Sequence, residues 1–333
     1  MRGRKKYSDI ASKMGFLTLY LLLMLVIVVI SFCKGVYAWD GTYIPALAGF
    51  IEPDSLSFPL SLVLGLLFFA LTIASVYYLG GAVFASFFKS GYISLIYAIL
   101  ALINPSAIIF SGASIALLLV IWSLYFIIRS RKINSAVFVS PFLASAAALF
   151  YPYLLFFVVV SMFFTLTSKE FTFRQLVTSV MGAVFPVVFL FSLRYVFFED
   201  ISLFWELLKL EILDISLPKL SAKSVPEVLQ MLLLIVLALS SIRSIVRSIR
   251  YYRVEESYAL SRMIVIIIFF AIANAVYQGT YGFYMPFIAL PMAFFICEYI
   301  NADAIEHNTN SIRGKTLLVL LIIMIVAKID IFV

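Results

Sequence analysis

Long apolar runs separated by short polar interruptions recur along the whole chain. They are Gly15–Cys33, Leu56–Leu79, Tyr92–Ile109, Ala113–Ile128, Val137–Phe150, Leu154–Leu166, Leu176–Phe198, Val228–Ile242, Met263–Tyr277, Tyr284–Tyr299 and Thr316–Ala327. Unbroken runs of this kind predict helices. A barrel would instead show apolar and polar residues alternating two by two. A spanning helix needs roughly 20 apolar residues, and several runs fall short of that. The pattern therefore predicts an all-α polytopic transmembrane bundle of about eleven spans, roughly 10–12. No polar stretch is long enough to bury a core of its own, so residues 1–333 read as a single integral membrane domain without a soluble domain.

The interruptions carry the topology. Arg2, Arg4, Lys5, Lys6 and Lys13 precede the first run. Lys89, then Arg129, Arg131 and Lys132, then Lys169 and Arg174, and then Arg243, Arg247, Arg250 and Arg253 follow at every second break. Roughly three quarters of the 24 Lys and Arg fall on this side, which the positive-inside rule makes cytoplasmic. The N-terminus is then cytoplasmic and the C-terminus periplasmic, in a bacterial inner membrane. The first run lacks a small-residue cleavage site and is read as a retained helix. Lys34–Ser55 becomes the first outer loop, and Asn104-Pro105-Ser106 and Tyr151-Pro152-Tyr153 become outer corners. The longest outer interruption, Glu199–Glu227, includes the mixed segment Ile201–Ile215, which suits an amphipathic helix lying at the interface. Asn301–Lys315 is assigned to the cytoplasm.

Composition agrees: 64% of residues are hydrophobic, 12% are charged, and the mean hydropathy is +1.13. The net charge of +7 is spent on the inner loops and does not point to nucleic acid. Cys33 and Cys297 imply no disulfide framework. No phosphate-binding glycine loop, Cys pair or His pair is present, and the single His307 lies in a polar inner loop, so metal sites built on His or Cys are excluded. No cofactor is evident. A divalent cation held by carboxylates remains open.

The candidate chemistry lies on the outer side. Asp40, Glu52 and Asp54 follow the first run. A carboxylate there can hold a divalent cation or act as base toward a sugar hydroxyl, although outer loops also carry acids simply because basic residues are excluded from them. Asp40, within Trp39-Asp40-Gly41-Thr42-Tyr43, is the sharpest of the three. Arg194 stands near the outer end of an apolar run. It either grips a phosphate bidentately or snorkels to the surface and pairs with Glu199 or Asp200. Tyr151 and Tyr153, and then Tyr277, Gln278, Tyr281 and Tyr284, cluster at outer corners. They suit a carbohydrate site or an ordinary interfacial belt. Ser140, Ala144 and Ala148 form a small-residue face for close helix packing. No acid in mid-span and no internal repeat is evident.

Asn104-Pro105-Ser106, the stretch from Phe142-Leu143-Ala144-Ser145 through Leu149-Phe150-Tyr151-Pro152, Gly182 with Pro186, and Ile288-Ala289-Leu290-Pro291 together give a resemblance. From about Tyr92 onward the chain resembles an uncharacterised polytopic inner-membrane family of Bacteroidota, a domain of unknown function. More loosely, an acid after the first helix followed by many spans looks like the C-type membrane glycosyltransferases and lipid-linked glycan polymerases. This chain departs from them in its short first outer loop and its lack of a paired acidic motif. That similarity implies handling of a polyprenyl-phosphate-linked glycan at the outer leaflet, with Asp40 as base or cation ligand and Arg194 as phosphate contact. A transporter or flippase, and a non-enzymatic scaffold with protein partners in an envelope assembly, are the alternatives.

Overall fold

The structure is a computed structural model. It describes residues 57–84, 87–102, 105–167, 172–198, 235–236, 238–243, 245–246, 253–276 and 281–306, together with Thr18, Leu21 and Leu22. Most of Gly15–Cys33, half of Val228–Ile242, all of Thr316–Ala327 and the outer segment 199–227 lie outside the described residues.

The described residues are helical and contain no strand. In chain order the elements are α1 Phe58–Phe84, α2 Phe87–Ala101, a 3-10 turn Pro105–Ile108, α3 Gly112–Arg129, α4 Ala136–Phe150, a 3-10 turn Pro152–Leu154, α5 Leu155–Leu166, α6 Phe173–Phe198, α7 Val254–Val276 and α8 Tyr281–Glu306. Four segments are long and apolar enough to cross a membrane: Phe58–Phe84, Gly112–Arg129, Phe173–Phe197 and Val254–Ala273, with mean hydropathy from 1.8 to 2.3. Leu60, Val63, Leu67 and Leu71 of α1, and Phe156, Val159 and Phe163 of α5, face outward. An apolar exterior of this extent suits lipid and would be a liability in water.

Helix directions alternate along the chain. Lys89, Arg129, Arg131, Lys132, Arg174, Arg253 and Arg262 sit toward one end of the bundle, hereafter the basic end. Both proline turns lie toward the opposite, corner end. Several helix limits differ from the sequence expectation. Lys89 belongs to the first turn of α2 instead of marking a loop. Helix α7 begins well before Met263. Helix α8 runs on through Asn301 to Glu306, residues expected to belong to a loop. In each case the helix continues through polar residues at the edge of the apolar run.

Two helical hairpins are short. Helices α2 and α4 have 15 residues each, and α5 has 12. At 1.5 Å per residue, 15 residues reach about 22 Å, less than the roughly 30 Å hydrocarbon layer. Their corners therefore sink into the bundle. The Phe110 N–H donates to the Ser61 carbonyl at 3.2 Å, which sets the first corner against the second turn of α1. The second corner is sunk in the same way against α6. Gly182 meets Phe138, Phe142 meets Phe185, and Leu149 meets Val187, Leu190 and Phe191. Helices α4 and α6 thus run parallel, and α6 extends beyond the corner.

The hairpins also resemble each other. Ala101-Leu-Ile-Asn-Pro-Ser-Ala-Ile-Ile-Phe110 and Ala148-Leu-Phe-Tyr-Pro-Tyr-Leu-Leu-Phe-Phe157 align with proline on proline. In both, a 15-residue helix stops and a 3-10 turn begins at the proline. Proline lacks the N–H needed to continue the helix and disfavours helical geometry in the residue before it. The two corners share this local break, although their second helices differ in length, 18 residues in α3 and 12 in α5. The two stretches are identical at four of ten positions: Ala101 and Ala148, Leu102 and Leu149, Pro105 and Pro152, Phe110 and Phe157.

Close backbone approach holds the hairpins in place. A Cβ on Gly65 would collide with the Ile108 carbonyl oxygen and the Phe110 nitrogen, and a Cβ on Gly182 would collide with the Phe138 carbonyl oxygen. Between α3 and α4, Ser123 Oγ donates to the Ser140 carbonyl at 3.0 Å and lies 3.0 Å from Ser140 Oγ. Ser140, Ala144 and Ala148 are all buried, as expected for a close-packing face.

Gly65→Ala should destabilise the protein by about 1–3 kcal/mol, because backbone atoms cannot move aside as a side chain can. Gly81→Ala, whose Cβ would meet only Ser90 Oγ at 3.6 Å, should be close to neutral. A thermal melt of the detergent-solubilised protein, followed by size-exclusion chromatography, checks the pair. Equal melting points would contradict the close approach at Gly65.

Candidate functional site at the corner end

Tyr151 ends α4 and precedes Pro152, so its backbone leaves the helix and its ring turns inward. It is buried, and it stacks on Phe287 of α8 with centroids 5.9 Å apart and planes at 5°. Tyr153 meets Tyr151 edge to face at 5.1 Å. Phe287 continues to Phe270 at 5.6 Å, and Phe270 stacks on Phe157 at 5.7 Å. This places Tyr151 within an aromatic column joining the α4–α5 corner to α7 and α8. An interfacial belt would leave its ring at the lipid surface.

Arg194 lies on α6 one turn beyond Leu190 and Phe191, the residues that pack on Leu149. The parallel register of α4 and α6 therefore puts Arg194 at the height of the Tyr151–Tyr153 corner. Only 3% of Arg194 is exposed, although just 17% of its helix's apolar window is buried. Its side chain thus turns to the protein side of a helix that mostly faces outward. A side chain snorkelling along the lipid face would be far more exposed.

The remaining sequence candidates are not brought into this description. Asp40, Glu52, Asp54, Tyr277 and Gln278 lie outside the described residues, as do Glu199 and Asp200. Tyr281 opens α8 at the corner end. Among the described residues no three His, Cys, Asp or Glu side chains gather in a way that could hold a metal ion.

On the other side of Phe287 is a small pocket of about 20 Å³. It is lined by Phe69 and Thr72 of α1, Tyr97 of α2, Ser111, Ser114 and Leu117 around the start of α3, and Pro286 and Phe287 of α8, among others. Thr72 Oγ1 donates to the Phe68 carbonyl at 2.7 Å, and Ser114 Oγ donates to the Ile109 carbonyl at 3.1 Å. Tyr97 is fully buried, and its hydroxyl has no hydrogen-bond partner among the described residues. Sequence reading missed Tyr97, since one tyrosine in an apolar run carries no signal of what its hydroxyl faces.

The basic end holds two further buried charges. Lys89 Nζ lies 2.9 Å from Glu298 Oε1, joining α2 to α8, and rests 4.6 Å from the Phe84 ring centroid. The Glu298 side chain is only 3% exposed. It is an acid inside the bundle, where none was expected, and its place at the end of an apolar run disguised it as a boundary residue. Arg262 is also buried. Its guanidinium lies over Tyr258 at 4.0 Å and Phe164 at 4.8 Å, and Nη1 donates to the Phe164 carbonyl at 2.6 Å. That carbonyl belongs to the last turn of α5, and it also accepts from Thr167 Oγ1 at 3.4 Å. Arg262 thus caps a helix that stops inside the bundle. Arg131 stacks on Tyr258 at 4.0 Å, so this ring lies close to two guanidinium groups.

Comparisons with protein-family profiles, with characterised proteins and with solved structures return no match for this chain.

Lys89→Met should leave the Glu298 carboxylate buried without its ion-pair partner and cost about 3–5 kcal/mol. Glu298→Met should act similarly, with a smaller loss because Lys89 is partly exposed. The double variant should recover most of the stability, since removing both charges also removes the desolvation penalty. Melting points of the three proteins measure this directly, and additive losses in the double variant would contradict a coupled pair.

Proposed function

We propose that this chain is a multi-pass protein of a bacterial inner membrane with about eleven spans, and that it handles a polyprenyl-phosphate-linked glycan or a similar envelope precursor at the outer leaflet. The observation that carries this reading is the buried guanidinium of Arg194 at the corner end. Every other described Lys and Arg precedes or follows an interruption on the basic side, which supports placing that side in the cytoplasm. Arg194 is then the basic residue that the described segments place in the outer half, on the protein side of its helix and level with a tyrosine corner. A guanidinium presents a planar fork of donors that matches a phosphate. Aromatic rings beside it suit the sugar or isoprenoid flanking such a phosphate. Asp40 would serve as base or cation ligand in an enzyme resembling the C-type glycosyltransferases.

Transport of the same precursor is the second reading. It is favoured by the paired hairpins broken at corresponding prolines and by the buried Lys89–Glu298 pair, both features of proteins that move a substrate across a membrane. A scaffold role in an envelope assembly requires neither Arg194 nor Asp40.

Two experiments test the proposal. The first concerns orientation, in a background with Cys33→Ser and Cys297→Ala. Thr42→Cys and Ser221→Cys should react with an impermeant maleimide from the periplasm, and Thr309→Cys only after the inner membrane is permeabilised. Periplasmic labelling at position 309 would reverse the topology.

The second is the envelope glycan profile of a deletion strain carrying each variant. Asp40→Asn should abolish function at normal protein level. Arg194→Lys should be nearly as damaging, because an ammonium cannot replace a bidentate fork. Normal glycan in the deletion strain itself would remove the glycan reading. Glycan lost in the deletion strain but restored by both variants would favour the scaffold.

A further inference from the structure

The pocket beside Phe287 joins three features that are independent in sequence. It lies where the first proline corner meets α1, with Ser111 and Ser114 at the start of α3. Pro286 and Phe287 of α8 close one side, and Phe287 carries the second corner through its stack with Tyr151. Into this wall is built Tyr97, fully buried and with no hydrogen-bond partner for its hydroxyl among the described residues. A buried hydroxyl without a partner costs about 1–3 kcal/mol, so a group that hydrogen-bonds to Tyr97 in this pocket would be stabilised.

The lining defines that group. Among the named lining residues the polar side chains are Tyr97, Thr72, Ser111 and Ser114, which are all neutral hydroxyls. They cannot offset a full charge at this depth, so an ion is disfavoured. The volume of about 20 Å³ holds one water-sized group and not a whole sugar ring. We propose that this pocket is a subsite for a single uncharged hydroxyl of a lipid-borne sugar or polyol, held by the Tyr97 hydroxyl with Ser111 and Ser114 beside it. The proposal rests on the outer-leaflet glycan reading for the source of that hydroxyl, and it adds a contact separate from the phosphate contact at Arg194.

The test uses the full-length chain purified in dodecyl dimethylamine oxide, a detergent without hydroxyls. The probe is an alkyl β-glucoside bearing a diazirine next to its head group. A matched alkyl phosphate and a matched permethylated glucoside serve as comparisons. After irradiation, peptides containing Ala107–Leu117 and Pro286–Phe287 should carry the glucoside probe several-fold more than either comparison. Tyr97→Phe should reduce that labelling roughly five- to tenfold, the value of one lost hydrogen bond, without lowering the melting temperature.

Arg194→Lys should leave glucoside labelling unchanged. It would therefore impair glycan assembly while sparing this subsite, so failure of the phosphate reading and failure of the subsite are distinguishable. Equal labelling by the three probes would overturn the proposal, as would labelling that is indifferent to Tyr97→Phe. A melting temperature lowered by Tyr97→Phe with labelling unchanged would assign the hydroxyl to a structural water, and this too would overturn it.

Discussion

Satisfying backbone hydrogen bonds without water is the constraint on which this structure depends. In an apolar surround an unpaired N–H or C=O costs several kcal/mol, and a helix is the simplest way to pair nearly all of them. Helices that cross completely leave their unpaired ends at the water surface. The short hairpins do not, and their ends need partners from inside the bundle. The Phe110 N–H uses the Ser61 carbonyl, the Ile109 carbonyl accepts from Ser114 Oγ, and the Phe164 carbonyl accepts from Arg262. Each of these polar side chains stands where a helix stops short. Arg262 is thus explained without a ligand, as the donor that lets α5 end at depth.

The same constraint separates the charges by role. Lys132 and Glu255 pair at 2.7 Å, but both are well exposed, and such pairs contribute little to stability. Lys89 and Glu298 pair across two helices with the acid buried, so each holds the other in place. Arg262 is consumed by capping. Arg194 differs from all of these in standing at the corner end, where basic residues are otherwise missing from the described segments. This contrast of position, more than burial alone, makes Arg194 a candidate.

Most of the helices were legible as apolar runs, and four of them meet the length and hydropathy of a membrane span. Their limits were less legible. The apolar run begins at Met263, yet the helix starts at Val254, where Tyr258 stacks with Arg131 and Arg262 and Glu255 meets Lys132. None of these partners is recognisable from local pattern. Glu298 resembled a boundary residue because its partner Lys89 is 209 positions away. Arg194 could be singled out as a charge within an apolar run, but the side of the helix it takes follows from the α4–α6 register. That register depends on Gly182 meeting the Phe138 backbone, a contact that no periodicity reveals. Asp40 was equally legible as a candidate, and it lies outside the described residues.

The two proline corners explain why the polar features at that end gather where they do. A helix broken in mid-bundle opens a gap as wide as the missing turns, and the neighbours must fill it. At the first corner Gly65 lets backbone fill the gap, with the Ile108 carbonyl lying against α1. At the second corner Tyr151 fills it with a ring that reaches Phe287. Pro286 lies inside the continuous helix α8, and the neighbouring Phe287 meets the Tyr151 ring. Among the described residues a small pocket remains beside Tyr97, Ser111 and Ser114, and its walls mix these hydroxyls with apolar side chains such as Phe69, Leu117 and Phe287. Evolution could have closed such a small void with one larger apolar residue. Ser111 and Ser114 leave it open, because both side chains are small and lie 3.3 Å from each other, oxygen to oxygen.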